Sequence, residues 1–512
     1  MEKSRTYNSI VNSIYGIIAS GITVVLNFFV RVVLVKQLGD EINGLHTLFQ
    51  SIISVMAIME LGISSAMVIH LYQPVKEKNE TLIKGIMSFY RFIYRIIAFI
   101  FAVITLFVAV FLLDQLVTTT VDIRIVRLYF LLFGTTSVLN YLTYYKRSIL
   151  YAEQKNRIST AVNAICEVLF RSAQIAVLII FKNYIYYLLL WIAEKVTSNL
   201  ICNNYVNRHH PYLINNHSVL DNENKNKIFN TIKPLFVNQV AGTVRQSSRS
   251  ILSSILLGNI SIVGYYGNYN LVISMVEMVF SQFGGAVTSS FGNLSVEKNG
   301  EKMRAAFKRT SFVMNWIAAI MCAGFIACIQ DFIALFFSKG SVLDTISVLS
   351  LLSNLVFYLI TIPIISIQNA MGLHRLDAGV MVVQSITSIM LAYIGGKLYG
   401  MPGIFFGLLI PFIVFTFLRK GIIISECALE MKRHQYLSFT FYELVKIVVP
   451  IIVTALICSL IDINNPYLDI LVKGIVALCV SIVVYPLMSL RSNEFRMTLD
   501  MIKGKVLRGQ KG

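Results

Sequence analysis

The chain is 512 residues long, of which 56% are hydrophobic and only 14% are charged. Water-soluble globular proteins carry about a quarter charged residues, so this composition cannot cover a water-facing surface in the usual way. The net charge of +18 would suggest a nucleic-acid partner for a soluble protein, but the basic residues lie in alternate loops, which indicates membrane topology. The composition therefore predicts a membrane protein that binds no nucleic acid.

Apolar runs of about 20 residues recur along the whole chain, and a helix of that length crosses a bilayer. Backbone groups in lipid must find partners within the segment, so these runs predict helices, and they lack the alternation of a membrane β-barrel. The predicted fold class is an all-α polytopic membrane protein with about fourteen transmembrane helices. The predicted spans are 10–36, 45–72, 86–113, 125–146, 158–181, 184–203, 234–257, 260–293, 310–337, 346–370, 378–399, 402–424, 444–461 and 468–488.

Lysine and arginine cluster in every second connection between the predicted spans. The N-terminus holds Lys3 and Arg5, the segments after each even-numbered span hold further basic residues, and the tail from Arg491 to Lys511 is basic. The intervening connections are short and hold few basic residues. The positive-inside rule predicts a multi-pass membrane protein with both termini in the cytoplasm.

Two stretches of the chain, residues 31–79 and 250–299, resemble each other at an offset of about 220 residues. Leu257-Gly258 matches Leu38-Gly39, and Asn299 matches Asn79. Some transporter folds are built from two such related halves. We expect two six-helix lobes in a parallel repeat around a central cavity, plus two extra C-terminal helices. The predicted domains are an N-lobe at 1–203, a cytoplasmic linker at 204–233, a C-lobe at 234–424, an appendage of the last two spans at 425–490 and a basic cytoplasmic tail at 491–512.

Polar residues form a stripe along span one and another along span seven. Asn27 and Arg31 lie one helical turn apart, as do the two arginines of span seven. Helix packing is the alternative explanation, because small and hydroxyl residues favour close helix contact in lipid. Charges at membrane depth are costly, and arginine binds phosphate oxygens in pairs, so a cavity for an anion is expected. The candidate substrate-binding residues are Arg31, Arg245 and Arg249, and the candidate polar cavity residues are Asn27, Asn238, Gln239 and Gln246.

Carboxylates also lie at membrane depth. Glu60 in span two and Glu277 in span eight are candidates for coupling transport to H+ or Na+, and pairing with the arginines is the alternative. Glu167 and Arg171, four residues apart in span five, are predicted to form an ion pair within one helix. The residue spacing indicates no catalytic group, no metal site and no cofactor.

Short motifs at the start of the chain, after span four and after span ten occur in a characteristic order: Arg31, Leu38-Gly39, Gly44-Leu45, Leu48-Phe49, Glu60-Leu61-Gly62, Ala66, Leu71-Tyr72, Pro74, Ala152-Glu153-Gln154-Lys155-Asn156 and Asn369-Ala370-Met371-Gly372-Leu373. In this order they resemble the Wzx-type polysaccharide flippases of the multidrug/oligosaccharidyl-lipid/polysaccharide (MOP) exporter superfamily. The resemblance implies two six-helix lobes around a cavity. It also implies movement of an undecaprenyl-diphosphate-linked oligosaccharide to the outer leaflet for capsule, exopolysaccharide or O-antigen synthesis.

The resemblance further implies that the diphosphate contacts the three arginines and that the lipid tail stays in the membrane. The implied partners are the lipid-linked oligosaccharide, membrane lipid, and the polymerase and glycosyltransferases of the same pathway. The related lipid II flippases carry several arginines in the first lobe, where Arg31 is the clear candidate here. This departure favours a polysaccharide repeat unit over the peptidoglycan precursor.

Other functions remain open from the sequence. A multidrug or cation antiporter of the same superfamily should prefer a carboxylate-lined cavity, which the span-seven arginines disfavour. A membrane enzyme such as a glycan polymerase would be expected to have a sizeable outer loop, so we expect a transporter and not an enzyme. A membrane scaffold without transport would leave the charges at membrane depth unexplained.

Overall fold

The computed structural model describes residues 5–60, 63–214, 218–295, 297, 299–373, 378–490, 492 and 494–496. These residues form helices and connections, and no strand occurs among them. The α-helices are α1 (Arg5–Met56), α2 (Ile63–Lys76), α3 (Glu80–Phe107), α4 (Leu113–Leu116), α5 (Ile123–Tyr144), α6 (Arg147–Ala152), α7 (Asn156–Phe181), α8 (Tyr184–His209), α9 (Asn222–Leu257), α10 (Ile260–Ser295), α11 (Gly300–Phe336), α12 (Thr345–Met371), α13 (Ala378–Pro411), α14 (Gly421–Leu429), α15 (Arg433–Cys458) and α16 (Pro466–Ser489). Turns of 3₁₀-helix lie at Ala57–Glu60, Pro211–Leu213 and Lys339–Ser341, and π-helical stretches lie at Val108–Leu112 and Phe412–Lys420.

Ten helical runs in the described part of the chain are long and apolar enough to cross a membrane. Two of these runs contain a glycine with positive φ, Gly39 at 85° in α1 and Gly400 at 63° in α13. Glycine adopts this backbone conformation without a steric penalty, so each of the two runs bends there and corresponds to two predicted spans. Helices α8 and α9 lie at predicted spans six and seven and are more polar than the ten. The prediction of an all-α polytopic membrane protein is confirmed.

Residues with positive φ recur at a nearly constant spacing. Three pairs lie 218 or 219 residues apart: Gly39 and Gly258, Gln154 and Gly372, and Lys182 and Gly400. Asn79 and Asn299 form a further matching pair, because each side chain accepts a hydrogen bond from the backbone N–H three residues later, at 3.0 Å in both cases. These asparagines cap the first turns of α3 and α11. The internal repeat is therefore visible in the backbone as well as in the sequence.

The chain divides into two compact units, Met1–Gly267 and Asn268–Gly512, and the division falls inside α10. In the first unit α1 packs against α7 and α9, and α5 packs against α3 and α8. Its core is continuous and includes Leu45, Phe49, Tyr90, Phe101 and Phe130. In the second unit α11 packs against α12, α15 and α16.

Two predicted segments differ in their local structure. The apolar run at 45–72 predicts one continuous helix, but α1 ends at Met56, a 3₁₀ turn covers Ala57–Glu60, and α2 begins at Ile63. The predicted linker at 204–233 is largely helical, since α8 continues to His209 and α9 starts at Asn222. Hydropathy marks where a helix leaves the lipid, and these polar helix ends continue beyond that point.

Candidate functional site

Arg31 of α1 is buried, with 9% of the residue exposed. One of its terminal nitrogens donates a hydrogen bond to the hydroxyl of Thr47, which lies after the bend in the same helix. Gly267 of α10 lies against this pair, because a Cβ at that position would overlap the Arg31 nitrogen and the Thr47 oxygen. The glycine thus leaves the space that the guanidinium group occupies.

The part of α1 after Gly39 and the first turns of α10 cross at close range. A Cβ on Gly44 would overlap the backbone oxygen of Ile260, and a Cβ on Gly264 would lie 2.7 Å from the backbone oxygen of Asp40. The side chain of Asn43 donates a hydrogen bond to the carbonyl of Gly264 at 3.0 Å. Small residues permit this kind of contact between helices in lipid. The crossing covers Arg31 in the conformation described.

Arg249 lies on α9, which packs against α1. It is 8% exposed, and the serines around it on the same helix, Ser247, Ser250, Ser253 and Ser254, are buried as well. The hydroxyl of Ser254 donates a hydrogen bond to the backbone carbonyl of Leu116. These contacts fix the helical segment that carries Arg249 within the first unit.

The other predicted cavity residues are described to different extents. Asn27 is partly buried, about one helical turn before Arg31, and Gln246 is exposed, one turn before Ser250. Asn238, Gln239 and Arg245 lie on α9, but their side chains are outside the part of the chain that the structure describes. The cavity roles of these residues stay predictions.

The predicted ion pair between Glu167 and Arg171 is wrong. Arg171 turns to the neighbouring helix α8, where its Nη2 lies 3.7 Å from Oε2 of Glu194, and Lys195 lies 2.8 Å from the other oxygen of the same carboxylate. Glu167 instead accepts a hydrogen bond from the hydroxyl of Thr23. Helix α7 is in contact with both α1 and α8, so Glu167 and Arg171 find partners on different neighbouring helices.

His46 belongs to an aromatic cluster that the sequence did not indicate. Its Nδ1 lies 2.9 Å from the hydroxyl of Tyr184, and its ring stacks on Trp191 with centroids 5.7 Å apart. The guanidinium groups of Arg31 and Arg171 both act electrostatically on this histidine. The structure therefore brings the guanidinium groups of Arg31 and Arg171 near one buried histidine, although Arg171 was predicted to pair with Glu167.

The two carboxylates predicted to couple transport to an ion lie in different units. Glu60 ends the 3₁₀ turn that interrupts span two, and its Oε1 accepts a hydrogen bond from the hydroxyl of Tyr94 at 2.5 Å. Tyr94 in turn accepts one from Tyr90 at 3.1 Å. Glu277 is partly buried on α10 in the second unit. A carboxylate at an interrupted membrane helix, held by a phenol, is a group on which a cation can bind.

Arg147 is buried, although its position after predicted span four indicated only a cytoplasmic charge. It is 2% exposed and donates hydrogen bonds to Ser159, Asn163 and Ser198 at 3.1, 2.7 and 2.5 Å. All three acceptors are neutral oxygens on α7 and α8. The residue fixes the short helix α6 to these two helices, so its role is structural. Its position directly after an apolar run was no signal of burial.

Among the residues of the first unit whose side chains the structure describes, four arginines are buried: Arg31, Arg147, Arg171 and Arg249. Arg147 bonds neutral oxygens on α7 and α8, and Arg171 faces the carboxylate of Glu194 on α8. A guanidinium group stays protonated in a protein interior and matches phosphate geometry. Arg31 and Arg249, on the contacting helices α1 and α9, are the candidate anion-binding arginines whose side chains the structure describes, and both are buried.

No protein-family model matches the chain, and no curated protein matches it. Solved structures are similar to this chain. The lipid II flippase MurJ in an inward closed conformation is similar with a TM-score of 0.68 and 14% identity, over 94% of this chain and 99% of MurJ. An inward-facing multidrug resistance MATE transporter of the MOP superfamily gives 0.65 and 13%, over 80% and 98% of the two chains.

A third similar structure is a MOP superfamily transporter from Pyrococcus furiosus, described as having a binding pocket of reversed polarity. Its TM-score is 0.51 and its identity 15%, over 83% of this chain and 96% of that protein. Identities this low show a shared fold. The chain therefore has the fold of the MOP superfamily transporters.

Proposed function

We propose that this protein is a flippase that moves an undecaprenyl-diphosphate-linked oligosaccharide repeat unit across the bacterial cytoplasmic membrane by alternating access. Its product would enter capsule, exopolysaccharide or O-antigen synthesis, with the polymerase and glycosyltransferases of that pathway as partners. The observation that carries the proposal is the burial of Arg31 and Arg249 on helices α1 and α9, which are in contact. A diphosphate offers the oxygens that guanidinium groups bind in pairs.

Two further observations favour a flippase over a multidrug or cation antiporter. Buried arginines would repel a cationic drug, because like charges in a site of low dielectric cost several kcal/mol. The similarity to the lipid II flippase covers 94% of this chain, whereas the similarity to the MATE transporter covers 80%. More of this chain thus has a counterpart in the flippase.

A lipid II flippase is the second candidate, because the full-length similarity to MurJ supports it. Both substrates carry a polyprenyl diphosphate, so the arginines suit either. The motifs of the chain and the single clear arginine of span one favour the oligosaccharide. The two candidates are separated only by a direct comparison of substrates.

In the proposed mechanism the diphosphate contacts Arg31, Arg245 and Arg249, the sugars contact polar groups such as Asn27, Asn238, Gln239 and Gln246, and the polyprenyl tail remains in lipid. The crossing of α1 and α10 at Gly44 and Gly264 covers Arg31 on one side. Separation of these helices would uncover the arginine there, and return to the crossing would close that side again. Glu60 and Glu277 are the proposed carboxylates for coupling to H+ or Na+.

The test is a flipping assay in proteoliposomes with a fluorescent polyprenyl-diphosphate oligosaccharide, with lipid II and with a cationic dye as separate substrates. We expect transport of the oligosaccharide and a loss of at least about tenfold in rate for Arg249→Gln, the size of one charged hydrogen bond. Arg249→Lys keeps the charge but loses the paired hydrogen-bond geometry, so its transport rate should lie between those of the wild type and Arg249→Gln.

Arg124→Gln is the matched control, because Arg124 is exposed at the start of α5. All variants are compared at equal amounts of monodisperse protein. An unchanged rate for Arg249→Gln would remove this residue from the site. Transport of lipid II alone would select the second candidate, and transport of the cationic dye alone would refute both.

A further inference from the structure

A pocket opens on the first unit where α3, the end of α5 and the 3₁₀ turn at Pro211–Leu213 meet. Its walls are formed by Met87, Ser88, Arg91, Tyr145, Lys146 and Leu213. The positive charges of Arg91 and Arg95 both lie close enough to Tyr145 to interact with its phenol. The charge of Arg91 also interacts with the ammonium group of Lys146. Arg91 and Lys146 therefore line the pocket, and Arg95 lies beside it, one helical turn after Arg91.

No carboxylate neutralises these three cations in the described part of the chain. Neither Arg91 nor Arg95 forms an ion pair there, and Lys146 donates its hydrogen bond to the neutral amide of Asn207 at 2.5 Å. Three unneutralised positive charges so close together repel one another. An anionic ligand between them would turn this repulsion into attraction.

The depth of the pocket follows from the two helices that form it. Each of the two helices contains a run of eighteen residues without a charge: residues 96–113, in α3 and its continuation, and residues 128–145, in α5 and just after it. This length is close to that needed to cross the hydrocarbon core. Arg95 directly precedes the first run and Lys146 directly follows the second. The helices run in opposite directions, so both charges lie at the same boundary between hydrocarbon and headgroups.

The face of α3 beside the pocket is apolar and open. Phe92, Ile96 and Phe99 are 60%, 42% and 70% exposed, and Arg95 lies on the same face because these positions are three or four residues apart. Acyl chains can cover this surface while the headgroup meets the cations. A free phosphate ion would leave the apolar surface unused.

We propose that Arg91, Arg95 and Lys146 form a binding site for the phosphate group of an anionic phospholipid, with its acyl chains along the exposed face of α3. The phosphate accepts hydrogen bonds from both guanidinium groups and from the ammonium group, and Ser88 and Tyr145 supply further hydroxyls. Basic pockets at the headgroup level bind anionic lipids in this way. The site is separate from the transported substrate, so it does not depend on the proposed function.

The test is native mass spectrometry of the purified protein titrated with phosphatidylglycerol or with phosphatidylcholine. We expect the wild type to retain phosphatidylglycerol preferentially, and Arg91→Gln/Arg95→Gln to weaken that binding about fivefold for each charge removed. Arg124→Gln/Lys182→Gln removes two exposed charges at the other ends of α5 and α7 and should bind as the wild type does.

Excess inorganic phosphate separates a lipid site from a site for the free ion. Lipid that stays bound in phosphate buffer supports the proposal, and complete displacement by phosphate overturns it. Equal lipid binding by the wild type and the double variant also overturns it. The single variant Arg95→Gln, at an exposed position, provides the same comparison if the double variant does not fold.

Discussion

The buried arginines of the first unit are held in three different ways. Arg31 bonds a hydroxyl and fills the space beside a glycine, Arg147 bonds three neutral oxygens, and Arg171 faces a carboxylate. Burying a guanidinium group in lipid without partners would cost several kcal/mol, so each arginine needs such an arrangement. The kind of partner thus differs from one buried arginine to the next.

Glu60 is the residue on which we base a prediction about coupling. Its carboxylate accepts a hydrogen bond from Tyr94 at the interruption of span two, where a change of protonation would change the local hydrogen bonding. We expect Glu60→Gln to abolish the stimulation of transport by an imposed pH gradient, because the amide cannot exchange a proton. The measurement is the flipping rate in proteoliposomes with and without pH and Na+ gradients.

The control for Glu60 is Glu77→Gln, at an exposed position at the end of α2 where the side chain bonds only Gln73. This variant should respond to the gradient as the wild type does. A Glu60→Gln variant that still responds fully to the pH gradient would exclude this carboxylate as the coupling group. Stimulation by a Na+ gradient and not by a pH gradient would identify Na+ as the coupling ion in place of the proton.

The helical elements could be predicted from the sequence because a run of apolar residues in lipid has to be helical. The turns at Gly39 and Gly258 could be placed because their repeat was visible in the sequence. The pairing of side chains could not be predicted, since it depends on which helices become neighbours. Arg171 shows this: its spacing from Glu167 matched an intrahelical pair, but Glu194 lies on the adjacent helix.

The last two helices, α15 and α16, are attached to α11 by a buried polar cluster. Glu443 and Lys446 form an ion pair with side chains 3% and 2% exposed. Asn315 of α11 and Tyr485 of α16 donate hydrogen bonds to one oxygen of Glu443, at 2.9 and 2.8 Å. The ammonium group of Lys446 also lies 5.3 Å from the ring of Tyr485. One carboxylate thus joins three helices.

This cluster gives a prediction at the scale of the helices. Glu443→Gln or Lys446→Met alone should lower the free energy of unfolding by about 3–5 kcal/mol, because each leaves a buried charge without its partner. The double variant should lose less than the sum of the two. Thermal unfolding of the purified protein measures the effect, with Glu426→Gln at an exposed position as control.

Simple additivity of the two single variants would contradict a direct pairing of Glu443 and Lys446. Only a weak signal of this pair is visible in the sequence, where two opposite charges three residues apart precede an apolar run. They lie at the polar border where the predicted span 444–461 begins. Burial of that border by α11 and α16 is a tertiary effect that hydropathy does not contain.

At the scale of the whole molecule, contacts in the first unit agree with the alternation of the loops. Two contacts join segments that were predicted to be cytoplasmic, Lys146 to Asn207 and His210 to Glu153, and His70 at the predicted cytoplasmic end of span two contacts Thr231 of the linker. Others join segments predicted on the outer side: Glu41 to Thr120, and Ile260 to Thr118. The contacts thus group the connections into two ends, and the positive-inside rule assigns the cytoplasm to one of them.

The predicted orientation in the membrane can be tested with single cysteines, introduced in a background that lacks the seven native ones. Lys227→Cys, in the segment between spans six and seven, should react in intact cells only with a maleimide that crosses the membrane. Asn464→Cys, between α15 and α16, should react with an impermeant one, and both positions are exposed. The reverse labelling pattern would show that the protein has the opposite orientation in the membrane. It would also place Arg95 and Lys146 at the outer leaflet, where the positive-inside rule would no longer explain their charges.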